Sequence, residues 1–311
     1  MKSKVPLLVI CGSTASGKTK LSVDLARALN GEVVSADSMQ IYAGMPIGTA
    51  QPTPEETQGV PHHLVAFLQP EEPFSVAQYV KLAAATIGEM TQRGKLPLLV
   101  GGTGLYVHSL IDNIQLPEMP ADSALREELT RFAEQNGPQA LWERLHACDP
   151  ALAATLHPND RGRIARAIEV YHLTGVPMSV WQQKSREQPS EYSLCMLGLA
   201  FRDRQNLYDR INLRVEQMIA QGLVEEARRF FAEHTPETAA QAIGYKELRG
   251  YLQGTAPLQI CTERIQQETR RYAKRQMTWL RRDSRIRWLF WEDYEDYPAL
   301  LREALGCVRF E

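Results

Sequence analysis

Gly12-Ser13-Thr14-Ala15-Ser16-Gly17-Lys18-Thr19 decides how the rest of the chain is read. It follows the apolar run Pro6-Leu7-Leu8-Val9-Ile10-Cys11 and leads into residues 20–29, whose apolar positions recur at helical spacing. A buried strand, a G-x-x-x-x-G-K-T loop and an amphipathic helix, in that order, make a phosphate-binding P-loop. The glycines let the backbone wrap, so loop N–H groups and the helix N-terminus converge on one anion. Lys18 adds a mobile positive charge, and Thr19 offers a hydroxyl to a Mg²⁺ carried by the phosphates. Residues 12–19 therefore predict a polyphosphate site and leave open what the phosphates are attached to.

Outward from the loop the pattern repeats. Residues 31–36 read as a second strand that ends at Asp37-Ser38-Met39-Gln40. A third strand is expected from Leu64 and a helix from Ser75 to about residue 92. Leu96-Pro97-Leu98-Leu99-Val100 is another buried strand, and it ends in a second glycine-rich turn, Gly101-Gly102-Thr103-Gly104. Strand-to-helix units in series imply an α/β fold, a P-loop NTPase-like doubly wound parallel sheet with right-handed crossovers. Composition then shifts: residues 116–120 read as a linker and the next seventy or so residues as helices alone. Residues 192–201 resume β character, so residues 117–190 are expected to be a helical insertion domain. Residues 1–116 and 191–311 form the core, closing with a long helix from Leu258, a last strand at 285–291 and a terminal helix.

Composition excludes several classes. The 311 residues carry a formal net charge of −2, which makes no overall case for nucleic acid. Five scattered cysteines without a C-x-x-C pair argue against a zinc module or disulfide framework and for a reducing compartment. No apolar run approaches the roughly 20 residues of a membrane span, and the chain enters its first strand without a leader pattern, so a cytoplasmic monomer is expected. His62 and His63 lack a third ligand at metal spacing and read as packing or hydrogen-bonding residues.

Charge is unevenly spread. Between Thr262 and Arg287 nine basic residues face three acidic ones, with Tyr272 and Trp279 interleaved. Arg271 and Arg275 share one face, and such a stripe suits a phosphate backbone better than plain solvent. Arg161, Arg163 and Arg166 make a smaller basic patch in the insertion, and Arg210 and Arg214, four apart, could reach a diphosphate. Asp37, at a strand's carboxyl end, is a Mg²⁺ ligand, a general base or a helix cap by position alone. Thr103 is a site residue or the cap of the following helix. The residues themselves allow a P-loop small-molecule kinase, an RNA-binding ATPase or a group transferase.

The assembled motifs resemble the bacterial tRNA dimethylallyltransferases, also called tRNA isopentenyltransferases. They are residues 12–19, Asp37-Ser-Met-Gln-Ile-Tyr42, Ile47-Gly-Thr-Ala50, Pro61-His-His-Leu64 and Gly101-Gly-Thr-Gly-Leu-Tyr106, followed by Arg163-Ile-Ala-Arg-Ala-Ile-Glu169, Ala242-Ile-Gly-Tyr-Lys-Glu247 and Thr269–Trp279. Ser13, Gln51 and Gly162 depart from the family's usual Pro, Lys and basic or polar residue. The resemblance implies transfer of a dimethylallyl group from dimethylallyl diphosphate to N6 of the adenosine 3′ of the anticodon, in tRNAs reading codons that begin with U. It implies that the diphosphate occupies the loop, although the family's loop is sometimes labelled ATP-binding, with Mg²⁺ on Thr19. Asp37 becomes the general base, Lys18 and Arg214 neutralise the leaving group, and Thr103 bonds the adenine. Asp37 and Thr103, with Ser38, Met39, Gln40, Arg126, Arg163, Arg166, Gly244, Tyr245, Lys246, Arg271 and Arg275, are the implied contacts to the anticodon stem-loop.

Overall fold

The computed structural model describes residues 4–114, 122–187, 189–234 and 238–310. The expected linker at 116–120 lies outside the described residues. Strand β1 (Val5–Gly12) runs into helix α1 (Lys18–Ala28), then β2 (Gly31–Ala36), a short helix α2 (Pro54–Thr57) and β3 (His62–His63). Helix α3 (Val76–Gln92), β4 (Leu96–Gly101) and α4 (Gly104–Ile111) complete the first half of the sheet. The strands pair in parallel throughout, in the order β3-β2-β4-β1-β5-β6, with β5 at Tyr192–Ala200 and β6 at Ile286–Phe290. Leu7, Leu8, Val9, Ile10 and Cys11 of β1 are fully buried, as an apolar run between two strands and two layers of helices must be. Register fixes the site: Cys11 pairs with Gly101 and Gly12 with Leu199, while Ala36 pairs with Gly101. The carboxyl ends of β1, β2 and β4 thus lie side by side, where open α/β sheets hold their ligands.

The expected strand from Leu64 is not there. Pairing with β2 stops at His63, because Leu64 and Ala66 take left-handed φ of 59° and 51°, which no strand accommodates.

After β5 come α9 (Arg204–Ala220), α10 (Leu223–Glu233), α11 (Tyr245–Leu252), α12 (Leu258–Leu280) and, beyond β6, α13 (Tyr297–Cys307). Helices α10, α11 and α12 share an apolar core with Ile41, Tyr42 and Met45, so the turn after β2 is anchored to them.

The chain divides into two compact units, Met1–Ser75, Tyr79–Val107 and Glu191–Glu311 in one, Val76–Gln78 and His108–Ser190 in the other. The second begins earlier than the 117 boundary because α4 ends inside it, where the Ser190 hydroxyl donates to the Ile111 carbonyl at 2.6 Å. Its helices are α5 (Ser123–Cys148), α6 (Pro150–Ala153), α7 (Arg161–Thr174) and α8 (Met178–Glu187). Helix α5 is two segments that meet at Gly137, φ 86°, ahead of Pro138. Leu129, Leu141, Leu145, Ala153 and Ile164 form this unit's own core.

Candidate active site

The loop between β1 and α1 has the conformation its sequence demands. Gly17, at φ 97°, caps α1 in the left-handed region that L side chains avoid. Trp291 and Arg210 brace the loop from outside: the Trp291 indole donates to the Ser16 carbonyl at 2.8 Å and Arg210 Nε to the Ala15 carbonyl at 3.0 Å. With those carbonyls turned outward, the amides at the start of α1 are left without intrahelical partners. The Ser16 hydroxyl, fully buried in the loop, has no partner among the described residues. The loop is built for an anion.

Lys18 Nζ donates to the Ser13 carbonyl at 2.7 Å. Its pKa is pushed down to about 8, first by burial; the Asp37 carboxylate opposes that fall and the Arg214 guanidinium adds to it. Arg214, on α9, is itself lowered, chiefly by burial, with Glu56 and Asp37 pulling the other way. Three of the four expected catalytic side chains therefore share one electrostatic environment.

Asp37 closes the turn after β2. Its Oδ1 accepts from the Met39 amide at 2.9 Å and the Gln40 amide at 3.3 Å, and no helix follows it. Those amides fix the carboxylate and leave Oδ2 as the oxygen able to take a proton. Thr103 closes the turn after β4, where its Oγ1 accepts from the Ser38 amide at 3.1 Å instead of capping α4. The Thr103 amide in turn donates to the Ala36 carbonyl at 3.2 Å. Two turns from adjacent strands are thus clasped together, the fourth expected side chain with them.

The sequence reading missed a second contributor, the inward face of α12. Gln276 is 5% exposed, and its Oε1 accepts from the Thr14 amide at 2.9 Å. Tyr272, one turn earlier, meets the side chains of Thr103 and Gln276; burial, the Asp37 charge next, raises its phenol to about 12. Their spacing of four was legible, but nothing local distinguishes a glutamine that enters a site from one that meets water.

Several expected RNA contacts are placed differently. Tyr245 is fully buried, ringed by Phe230 and Phe231, and its hydroxyl donates to Glu226 Oε1 at 2.6 Å. Glu226 also accepts from the Ile47 and Gly48 amides at 2.8 and 2.7 Å, and a Cβ on Gly48 would lie 2.2 Å from the Tyr245 ring. Tyr245 is therefore a buttress for the 47–48 loop, its side chain enclosed by protein rather than presented at the surface where an RNA contact was expected. Gly244 is buried beside it, whereas Lys246 is exposed. Gln40 spends its carboxamide inside the chain, accepting from the Ser35 hydroxyl at 3.1 Å and donating to the Ala50 carbonyl at 2.9 Å. Ser38 and Met39 are half-buried, Met39 against the core of the α10–α12 layer.

On α12, Arg271 and Arg275 are exposed, Arg271 paired with Glu268 at 2.5 Å and Arg275 5.7 Å over the Tyr272 ring. Several other cations of this stretch are engaged within the chain: Arg285 forks onto Asp283, Arg287 pairs with Glu303 and Arg270 bonds Asn212. In the second unit, Arg126 and Arg166 converge on Oε2 of the fully buried Glu169 at 2.9 and 2.8 Å, each side chain still more than a third exposed. Arg163 on the same helix is exposed. His63 bonds Glu32 at 2.8 Å and His62 the Val60 carbonyl at 2.9 Å, as hydrogen-bonding residues do. No group of three or more His, Cys, Asp or Glu side chains among the described residues could cage a metal.

Fold and loop together define an α/β protein of the P-loop type. The profile of the IPP transferase family matches residues 40–283, and that of the isopentenyl transferases matches residues 5–66. The chain belongs to the IPP transferase family. It is 47% identical over 305 residues to the tRNA dimethylallyltransferase of Thermoanaerobacter sp. (strain X514), covering 97% of this chain and 96% of that one. With the tRNA dimethylallyltransferase of Geobacter sulfurreducens it shares 48% over 299 residues, 96% of this chain and 94% of that one. Among solved structures it is similar to a tRNA isopentenylpyrophosphate transferase from Bacillus halodurans, with 45% identity, a TM-score of 0.73 and coverage of 97% and 95%. A eukaryotic dimethylallyltransferase described as acting on tRNA matches at 29% identity and a TM-score of 0.78, over 96% of this chain and 77% of that one. Membership of this family displaces the kinase reading that the loop alone allowed.

Proposed function

We propose that this chain transfers the dimethylallyl group of dimethylallyl diphosphate to N6 of the adenosine 3′ of the anticodon, in tRNAs reading codons that begin with U. The observation that carries the reading is the clasp that sets Asp37 and Thr103 beside the loop of Lys18. It puts a proton acceptor and a hydrogen-bonding hydroxyl next to a cradle for a leaving anion.

The N6 amine of adenine is a weak nucleophile, because its lone pair is delocalised into the ring. As N6 bonds to the allylic carbon, the C–O bond to diphosphate breaks and its electron pair leaves with the phosphate. Asp37 Oδ2 takes the N6 proton, which restores a neutral product amine. Lys18, the amides of α1 and Arg214 meet the charge that builds on the departing oxygen. The buried Ser16 hydroxyl, without a partner among the described residues, fits a metal that arrives with the diphosphate. Thr19 is the residue that would hold such a Mg²⁺, which when bound supplies counter-charge to the phosphates. Thr103 orients the flipped base, whose unstacking costs a few kcal/mol that contacts with the rest of the anticodon loop must offset. Arg271 and Arg275 on α12, with Lys246, are exposed cations suited to that backbone, and Arg163 is one in the second unit.

Labelled dimethylallyl diphosphate, Mg²⁺ and unmodified tRNA should yield prenylated adenosine on nuclease digestion. An unlabelled RNA, with ATP hydrolysed in its place, would refute the transferase reading.

A further inference from the structure

The two glycine-rich turns leave adjacent strands, β1 and β4, and one side chain reaches both. Gln276 comes from α12, 262 residues after the amide it accepts from at Thr14. Its Nε2 sits where a side chain on residue 102 would be: a Cβ built on Gly102 would lie 2.2 Å from it. Residue 102 must therefore be glycine for the carboxamide to enter, and the next residue is Thr103. Tyr272, a turn earlier on the same helix, meets both the Gln276 amide and the Thr103 side chain. Through the β1–β4 ladder the strands hold the turns at their roots; Gln276 holds them at their tips.

We propose that Gln276 is a positioning residue that fixes the separation between the diphosphate loop and the Thr103 turn, so that N6 and the allylic carbon meet in line. The role rests on the transfer chemistry proposed above. It follows from what such a reaction needs. Dimethylallyl diphosphate is held by one turn and the adenine by the other, and neither contact alone sets the distance between the reacting atoms. A misplacement of 1 Å costs about a hundredfold in rate. A buried amide braced by the long helix removes that freedom without touching either substrate.

The test uses Gln276→Met, which keeps length and bulk and removes both hydrogen-bonding ends. Single-turnover prenyl transfer with tRNA should fall by about 30- to 100-fold. Affinities for Mg²⁺–dimethylallyl diphosphate and for tRNA, measured separately, should each stay within about threefold, and the melting temperature should fall by no more than the loss of one or two buried hydrogen bonds accounts for. Gly102→Ala, which evicts the amide from the other side, should reproduce the loss, and the double variant should be no worse than the poorer single one. A Gln276→Met rate within about threefold of the parent, additive losses, or a rate loss matched by lost diphosphate affinity would each overturn the role. Should Gln276→Met not fold, Gln276→Asn, which keeps the amide and withdraws it by one methylene, must show the same split between rate and affinity. A parent chain that transfers no prenyl group rejects the transfer reading itself, whereas a variant that transfers at the parent's rate rejects only the role of Gln276.

Discussion

Lys18 makes diphosphate binding a titration. Burial holds its pKa at about 8 in the free protein, well under the ordinary 10.5. A bound diphosphate supplies the counter-charge that burial withholds, so the liganded lysine stays protonated throughout the accessible range. The sign follows: binding takes up a proton only where the free lysine has lost one, so affinity is full below about pH 8 and declines above it. With one proton linked, the dissociation constant rises tenfold per unit well above the pKa, or about 25-fold between pH 7.5 and 9.5. Among its neighbours Cys11 is pushed by burial to about 12 and Tyr272 also to about 12, so neither titrates in that window. The phosphate ester's own last proton leaves near pH 6 and does not contribute. Equilibrium dialysis of labelled dimethylallyl diphosphate with Mg²⁺ across that range reads the slope directly. Lys18→Met should bind more weakly and lose the slope. Affinity flat within about twofold in the parent, or the same slope in Lys18→Met, would refute the argument. Stability should respond the other way: the ligand-free fold binds fewer protons than the unfolded chain between about 8 and 10.5, so it gains from this lysine as pH rises through that interval.

Other expectations concern residues whose roles the structure separates. Asp37→Asn, which keeps an acceptor for the Met39 and Gln40 amides, should leave tRNA affinity intact and cut turnover by about a hundredfold or more; lost affinity at normal turnover would make Asp37 structural. Neutralising Arg271 with Arg275 should reduce the slope of log affinity against log salt by about 1 to 2, and an unchanged slope would leave that face as ordinary surface. Tyr245→Phe strips one buried bond from Glu226 and should cost about 1–2 kcal/mol in urea unfolding with tRNA binding unaffected. Gly48→Ala, driven against the same ring, should destabilise by about 1–3 kcal/mol; a variant as stable as the parent would mean that the 47–48 loop gives way freely.

The parts of this protein that its sequence determined are those whose cause is local. A strand of consecutive apolar residues, two glycines and a lysine at fixed spacing specify the anion loop, because backbone dihedrals and strand burial are set within a dozen residues. The second glycine turn and the helical insertion were legible for the same reason. The missing strand after His63 shows the limit, since apolar residues at 64–68 look like a strand and only the left-handed backbone there stops the pairing. Charge was the least local property. Whether an arginine meets RNA or an inward carboxylate depends on what the fold brings opposite it, and Arg126 with Arg166 on Glu169 could not be told from free cations by counting. Tyr245 is the same lesson for an aromatic residue: a motif position became a buried strut because Glu226 and the Gly48 loop close around it. Residues 12–19 specify the loop, but which side chains gather around it was decided in three dimensions. Asp37, Thr103 and Gln276 lie up to 239 residues apart in sequence. Only the parallel order of β2, β4 and β1, with α12 packed against β1, brings their polar atoms to one edge, because a sheet converts neighbours in register into neighbours in space.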